Sequence, residues 1–533
     1  MADDAKQPLE TGGMYKREVK RESPVMAILQ IVIGIAVVGG GLFAYKTYVD
    51  ERKRVADLIT EARQVARGDD AAQLLEAKAK YEEVGVDKLR KTPRGAAHMA
   101  ELTAQLWAMY GMTELKDDAK NWVQHAVSMD LPKAERYAAE AYVALAEGRP
   151  ADAERMILDL ERKGIRHAKT LHALSLAKLA AGKAKEARNA ADEAMKLDTG
   201  LVRLPVAHGD ALLAMGNFAS AKASFEKAKQ LNPAHFKART GIVLAQAQAR
   251  EGSTKLQHRE LKKLRTEASE INGGKPPPRV AAFIEYVDGE VYMSSGKSKK
   301  ALASADSALQ IDPSLTDALA LKARALAARG KDKEALAAIK EALAKVPTSV
   351  PYAQAGFEML HRNKKTKDGV KLLESVRDAN PNNARIYPLL AIAQAKADMK
   401  KEATETAKVA IEKLGNAHPD AIFATARALQ AEGQFDKARE KYNEAMQEKG
   451  VQKWPEVFYE MGHVRLAEKQ YADAATLFST AVADWERTRA DIYTIADGYQ
   501  SWATAVENQG GRANKKAAAK LRDKAKKLVS GKR

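Results

Sequence analysis

Two patterns of apolar residues divide the chain. From Val25 to Tyr45 the sequence VMAILQIVIGIAVVGGGLFAY carries no charge. At 1.5 Å per helical residue it is about as long as a ~30 Å hydrocarbon layer requires, which predicts a transmembrane helix over 25–45. Pro24 suits its first turn, where a missing amide proton costs nothing, and Lys46 can reach the far interface beside Tyr45 and Tyr48. A cleaved signal peptide has a shorter apolar run, roughly 7–15 residues, and a small-residue cleavage site that Leu42-Phe43-Ala44 fits poorly. Beyond Tyr45, apolar positions recur at helical spacing in Ala-, Lys-, Leu- and Glu-rich sequence, with Gly or Pro interrupting about every half-repeat. No alternating strand pattern occurs, so the expected fold class is all-α.

The helical part has a fixed period. Ala119, Ala153, Ala187 and Ala221 are each thirty-four residues apart, and Gly148, Gly182 and Gly216 keep the same step. So do Val123, Ile157, Ala191 and Phe225. A second register holds Pro313, Pro347 and Pro381, with Gly296 and Gly330, Ala301 and Ala335, and Ala308 and Ala342. Two helices joined by a short turn cannot bury both apolar faces alone, so such units stack. Alanines allow close crossings, glycines supply the turns, and prolines stop one helix before the next begins.

The stretch Gly209, Leu212, Gly216, Ala221, Phe225, Ala228 and Pro233 resembles a tetratricopeptide repeat. So do Gly289, Tyr292, Gly296, Ala301, Ala308 and Pro313, and Phe458, Met461, Gly462, Tyr471, Ala474, Phe478 and Ala481. Weaker copies centre on Ala335, Gly369, Ala403 and Ala438, and a degenerate one spans Leu74 to Val84. The expectation is a transmembrane helix followed by a tetratricopeptide-like α-solenoid of about eleven or twelve repeats. Several copies lack the bulky aromatic, which blurs their borders.

Between the two registers, Ala221 and Ala301 are 80 residues apart, two repeats and twelve residues more, and the excess coincides with Asn272-Gly273-Gly274-Lys275 and three prolines. The expected organisation is a tail (1–24), an anchor (25–45), a first array (46–271), a hinge or loop (272–280), a second array (281–509) and a basic capping tail (510–533). Lys16, Arg17, Lys20 and Arg21 precede the anchor, and Lys46, Arg52, Lys53 and Arg54 follow it, so positive charge is balanced across it. A short basic tail ahead of a first helix usually stays in the cytoplasm while long downstream domains cross regardless, so N-in, C-out is expected. Ala36, Gly40 and Ala44 form a stripe of small residues along the anchor against which another helix can pack.

Composition narrows the chemistry. The 533 residues carry 88 Lys+Arg against 70 Asp+Glu, a net charge of +18, and 45% are apolar, enough for a packed core. No cysteine is present, which removes thiol nucleophiles, thiolate metal sites and disulfides and suits an oxidising compartment. Gly296-Lys297-Ser298 has only the tail of a phosphate-binding loop, since the preceding glycine position is Val291. None of the ten histidines forms a His-Glu-x-x-His pair; His167 and His172, five apart, do not align on one helical face. Acidic pairs such as Glu82-Glu83 and Asp117-Asp118 fit solvated helix faces. A non-enzymatic protein without cofactor or metal is expected.

In repeats of this kind the first helix of each pair lines the concave surface, and the resemblance implies that partner peptides bind there. Carried onto this chain, the inward positions are Tyr142, His172, Tyr286, Arg324, His361, Phe423, Arg427, Tyr459 and His463. The Lys and Asn set with which some relatives clamp a terminal carboxylate lacks its Asn here. Residues 511–533 hold Arg512, Lys515, Lys516, Lys520, Arg522, Lys524, Lys526, Lys527, Lys532 and Arg533 against Asp523, half of the net charge. Such a tail suits anionic lipid or an acidic partner; without interleaved aromatics it suits nucleic acid poorly. The layout resembles bacterial inner-membrane proteins whose repeats face the periplasm and serve secretion, pilus, gliding-motility or cell-wall assemblies. The expected function is therefore a membrane-anchored scaffold that recruits proteins. The alternatives are a polyanion-binding module acting through the tail, and the same scaffold facing the cytoplasm.

Overall fold

The structure is a computed structural model and describes residues 24–129, 133–449, 454–487, 490 and 492–530. Lys16, Arg17, Lys20 and Arg21 lie outside the described residues, as do Lys532 and Arg533. Among the described residues there are twenty-seven α-helices and no strand. The chain divides into two compact units, Met1–Glu61 and Ala62–Arg533.

In the first unit lies most of α1 (Pro24–Ala66), which continues unbroken well past Tyr45. It is the one helix among the described residues long and apolar enough to cross a membrane. Its apolar side chains are exposed, and a Cβ added to Gly40 meets nothing within 4 Å, so the Ala36, Gly40, Ala44 stripe is uncovered among the described residues.

The second unit is a stack of hairpins. After α2 (Ala71–Glu83) and the short α3 (Val86–Arg90) come twelve, each a first helix and a second that folds back on it. Hairpins 1 to 4 are α4 (Pro93–Tyr110) with α5 (Lys116–Ser128), α6 (Lys133–Ala146) with α7 (Pro150–Arg162), α8 (Ala168–Ala180) with α9 (Ala184–Leu197), and α10 (Arg203–Ala214) with α11 (Phe218–Leu231). Hairpins 5 to 8 are α12 (Phe236–Ala249) with α13 (Thr254–Glu270), α14 (Pro278–Ser294) with α15 (Ser298–Ile311), α16 (Thr316–Ala327) with α17 (Asp332–Lys345), and α18 (Val350–Arg362) with α19 (Thr366–Ala379). Hairpins 9 to 12 are α20 (Ile386–Lys396) with α21 (Lys400–Leu414), α22 (Pro419–Ala431) with α23 (Phe435–Glu448), α24 (Pro455–Ala467) with α25 (Tyr471–Arg487), and α26 (Ile492–Asn508) with α27 (Arg512–Ser530).

The signature residues of the period do the packing. Gly209 and Gly241, on consecutive first helices, press on either side of the buried Phe225 ring: a Cβ on either would sit 2.7 Å from a ring carbon. Gly462 meets Phe478 in the same way. Gly148, Gly182, Gly216, Gly296 and Gly330 have φ of 72–75°, the left-handed turn between the two helices. The same turn position passes to Lys364 and Asp398, thirty-four and sixty-eight residues after Gly330, each with φ of 60°.

The stack winds far enough to meet itself. Arg279 at the start of hairpin 6 donates from Nη1 to the carbonyl of Ala108 in hairpin 1, at 2.9 Å. The turn at Gly182 in hairpin 3 lies against Thr348 and Asn383 beside hairpins 8 and 9. Tyr493 in hairpin 12 bonds the carbonyl of Ala327 in hairpin 7 and carries the Arg362 guanidinium 3.9 Å over its ring. Contacts between hairpins five apart therefore recur.

Candidate functional site: the concave face

First helices of hairpins 1 to 7 wall a cavity of about 380 Å³, within the range typical of ligand pockets. Leu176, Val206, Phe236 and Phe283 make it mainly apolar, and Asp210, Asp317, Arg203, Lys237 and Arg279 place charge at its wall. Lys237 Nζ lies 3.3 Å from Asp210 and 3.5 Å from the centre of the Phe283 ring. Burial raises the Asp210 carboxyl above its ordinary range, with Lys237 opposing, and burial raises Asp317 too. Asp317 makes no direct ion pair among the described residues; Lys237 and Arg324 act on its carboxyl from further off, and Tyr352 is hydrogen-bonded to it.

A buried ion cluster that reaches the cavity wall through Arg203 ties the array's first turn together. Arg203, 3% exposed, donates from Nη2 to Glu101 at 2.7 Å and from Nη1 to Gln105, with Asp69 3.4 Å away. Its backbone N–H reaches the other oxygen of Asp69 at 3.0 Å. Lys169 Nζ bonds Glu101 at 2.6 Å. Burial alone would raise Glu101, but Lys169 and Arg203 outweigh it and hold the carboxyl at about 2. At Asp69 burial wins over Arg203 and the carboxyl rises. Asp70, next in sequence, accepts from the Phe236 backbone N–H, so the residues before α2 are bonded to hairpins 1, 4 and 5 at once.

The nine residues expected on the concave face separate into three groups and one single residue. Tyr142 and His172 meet in the core, hydroxyl to Nδ1 at 2.7 Å, and both are sealed from solvent. Their rings fill the seam between neighbouring first helices and offer a partner no surface. Tyr286 is buried beside Glu290, whose carboxylate pairs with Arg324; the Arg324 side chain keeps 45% of its surface exposed. Phe423 is also buried, with its ring 5.2 Å from Trp454 and 5.5 Å from Tyr442.

His361, Arg427, Tyr459 and His463 do come together, in one polar patch of hairpins 8 to 12 with Lys396, Glu460 and Asp497. Arg427 Nη1 lies 2.6 Å from Glu460, and the Tyr459 hydroxyl donates to Asp497. Burial depresses His361, and Lys396 adds to it; burial depresses His463 against the pull of Glu460. Sequence reasoning missed the cavity residues by one helical turn. Leu176 and Asp210, thirty-four apart, stand four residues after His172 and Val206 and line the wall, so the periodic signal was present at a neighbouring register.

One arrangement has the composition of a hydrolytic triad. His208 stands between Ser224, with Nδ1 2.8 Å from Oγ, and Asp192, with Nε2 3.1 Å from Oδ1. The Ser224 hydroxyl already donates to the Ser220 carbonyl at 3.0 Å, and Ser224 sits inside α11, where backbone N–H groups are spent on the helix. That leaves no oxyanion hole, so the cluster is a packing contact. Among the described residues no three His, Asp or Glu come together as metal ligands.

Residues 291–474 match the family model for the N-terminal tetratricopeptide-repeat region of Psidin, and residues 206–235 match that for the tetratricopeptide repeat. No curated protein matches the chain in sequence. Among solved structures, yeast Tom70 is 12% identical with a TM-score of 0.38, covering 74% of this chain and 92% of its own. A tetratricopeptide repeat protein from Parabacteroides merdae is 14% identical with a TM-score of 0.34, covering 62% and 98%. The Cut9–Hcn1 hetero-tetramer of the APC/C is 13% identical with a TM-score of 0.37, covering 85% and 93%.

Proposed function

We propose that this chain, which belongs to the tetratricopeptide-repeat family, is a non-enzymatic scaffold that holds a segment of another protein in the concave face of its array. The observation that carries the reading is the cavity of about 380 Å³ formed by the first helices of seven consecutive hairpins. Its wall suits an apolar segment bearing a basic side chain: among Phe283, Val206 and Leu176, the lining cations Arg203 and Arg279 are already paired with Glu101 and Asp312, which leaves Asp210 and Asp317 to Lys237 alone.

A photocrosslinker in place of Phe283 should capture a partner by its apolar segment. Asp317→Asn should weaken that complex about tenfold, the loss of one charge-assisted contact. Val206→Trp, which fills the cavity, should abolish it. Equal capture from Lys437, exposed on α23, would refute the reading.

In its finer form the reading places the scaffold in a bacterial inner membrane, anchored by α1, with the array in the periplasm serving an envelope assembly. The apolar helix and the resemblance support it. Protease added to spheroplasts should cleave the array; protection until lysis would put it in the cytoplasm.

A further inference from the structure

The helix α27 packs one face against α26 and leaves the other uncovered among the described residues. Ala518 and Ala525 of α27 are buried, and Leu521 and Leu528 pack with Tyr499 and Trp502 of α26. Three of its cations are used within the fold: Arg522 meets Glu507, Lys524 meets Glu486 at 3.2 Å, and Lys527 meets Asp523 at 2.7 Å. Arg512, Lys515, Lys516, Lys520 and Lys526 are exposed and form no ion pair among the described residues. At 100° per residue these five fall within an arc of about 140°, opposite the buried face, and along a strip of about 21 Å. The strip contains no aromatic side chain.

We propose that this face docks on an anionic lipid surface. Charge complementarity selects a polyanion, and each cation close to a charged bilayer adds roughly a fivefold gain in binding. Two observations select lipid among polyanions. The chain carries a helix long and apolar enough to hold it at a bilayer, so headgroups are the polyanion met at the highest local concentration. The strip also lacks the aromatic platforms on which single-stranded nucleic acid stacks. Docking here is independent of the concave face, which lies on other helices.

The chain has no cysteine, so Ala519→Cys at the middle of the strip can carry a single environment-sensitive dye. The full chain is assembled in nanodiscs, which expose both bilayer faces. One set is phosphatidylcholine alone, a second contains phosphatidylglycerol, and a third contains a cationic lipid. The emission should shift to the blue only in the anionic discs and return as salt rises from about 50 to about 500 mM. Changing Arg512, Lys515, Lys516, Lys520 and Lys526 to Gln should lower the bound-to-free ratio about fivefold for each. Equal emission in all three discs would overturn the proposal, as would a shift that survives high salt. A shift produced in the phosphatidylcholine discs by an added oligonucleotide would overturn it in favour of nucleic acid.

Discussion

Replacing Arg203 by Met tests whether the ion cluster at the cavity wall is what fastens the array's first turn. The substitution keeps the volume of the stem and removes the guanidinium. Glu101, 5% exposed, would keep Lys169 at 2.6 Å, whereas Asp69, 1% exposed, would keep only the Gln105 amide at 2.9 Å and the backbone N–H of residue 203. Breaking a buried pair costs about 3–5 kcal/mol, and Lys169 places the loss toward the lower end, about 3–4 kcal/mol. The cost also has a pH signature. Without its cation, Asp69 moves further above 3.8, so the folded state binds the extra proton and the variant's deficit shrinks as pH falls from 7. In a repeat array the damage should be local. Hydrogen exchange at pH 7 should accelerate about a hundredfold to a thousandfold in α4 and α10 and stay unchanged in α22 to α27. Rates in α4 and α10 within about twofold of the parent, or a deficit that widens in acid, would refute the reasoning.

The close glycine contacts and the turn positions yield further tests. Gly462→Ala should cost about 1–3 kcal/mol because its Cβ would stand 2.7 Å from the Phe478 ring, and Phe478→Leu should recover part of that in urea titrations. Lys364→Gly, Asp398→Gly and Lys469→Gly, all at φ near 60°, should each raise stability by about 0.5–1 kcal/mol, while Gly216→Ala should lower it by a similar amount. Burial, with Lys169, lowers His98 to about 4, so the stability it confers is complete above pH 6.5 and is lost as pH falls toward 4. His98→Asn should flatten the dependence of unfolding free energy on pH within that window, by at most about 3 kcal/mol in total.

The array was legible because its period rests on sterics. Gly209 had to be small against Phe225, and Gly462 against Phe478, so the residues that announce the repeat are those whose enlargement the packing forbids. Register faded where sterics relax: the turn at Lys364 and Asp398 tolerates a side chain at positive φ, so the glycine signal lapses after Gly330 and returns only at Gly433, one residue out of step. The concave face was harder to read. His172 and Val206 occupy equivalent positions, yet only Val206 reaches the cavity, because the Tyr142 hydroxyl holds His172 in the seam between first helices. Which of two periodic positions faces the groove depends on a ring from the neighbouring hairpin, which no single repeat encodes. Arg203 and Asp69, 134 residues apart, left no local signal at all.

Those long-range contacts change how the array should behave as a receptor. A solenoid whose repeats touch only their neighbours is an elastic rod, and a ligand in its groove must stiffen it at an entropic cost. Here the chain is fastened across its own turns, by Arg279 to Ala108, by Tyr493 to Ala327, and by Asp69 and Asp70 to hairpins 1, 4 and 5. Each fastening fixes the distance between first helices that face one another across the groove. The cavity between hairpins 1 and 7 therefore keeps its width without an occupant, so a partner meets a preformed wall and little of its binding free energy is spent on ordering the receptor. Asp70→Ala, which cuts the fastening to hairpin 5 and removes no residue of the cavity wall, should consequently weaken the partner mainly by slowing association, because the open groove must close before contact is made.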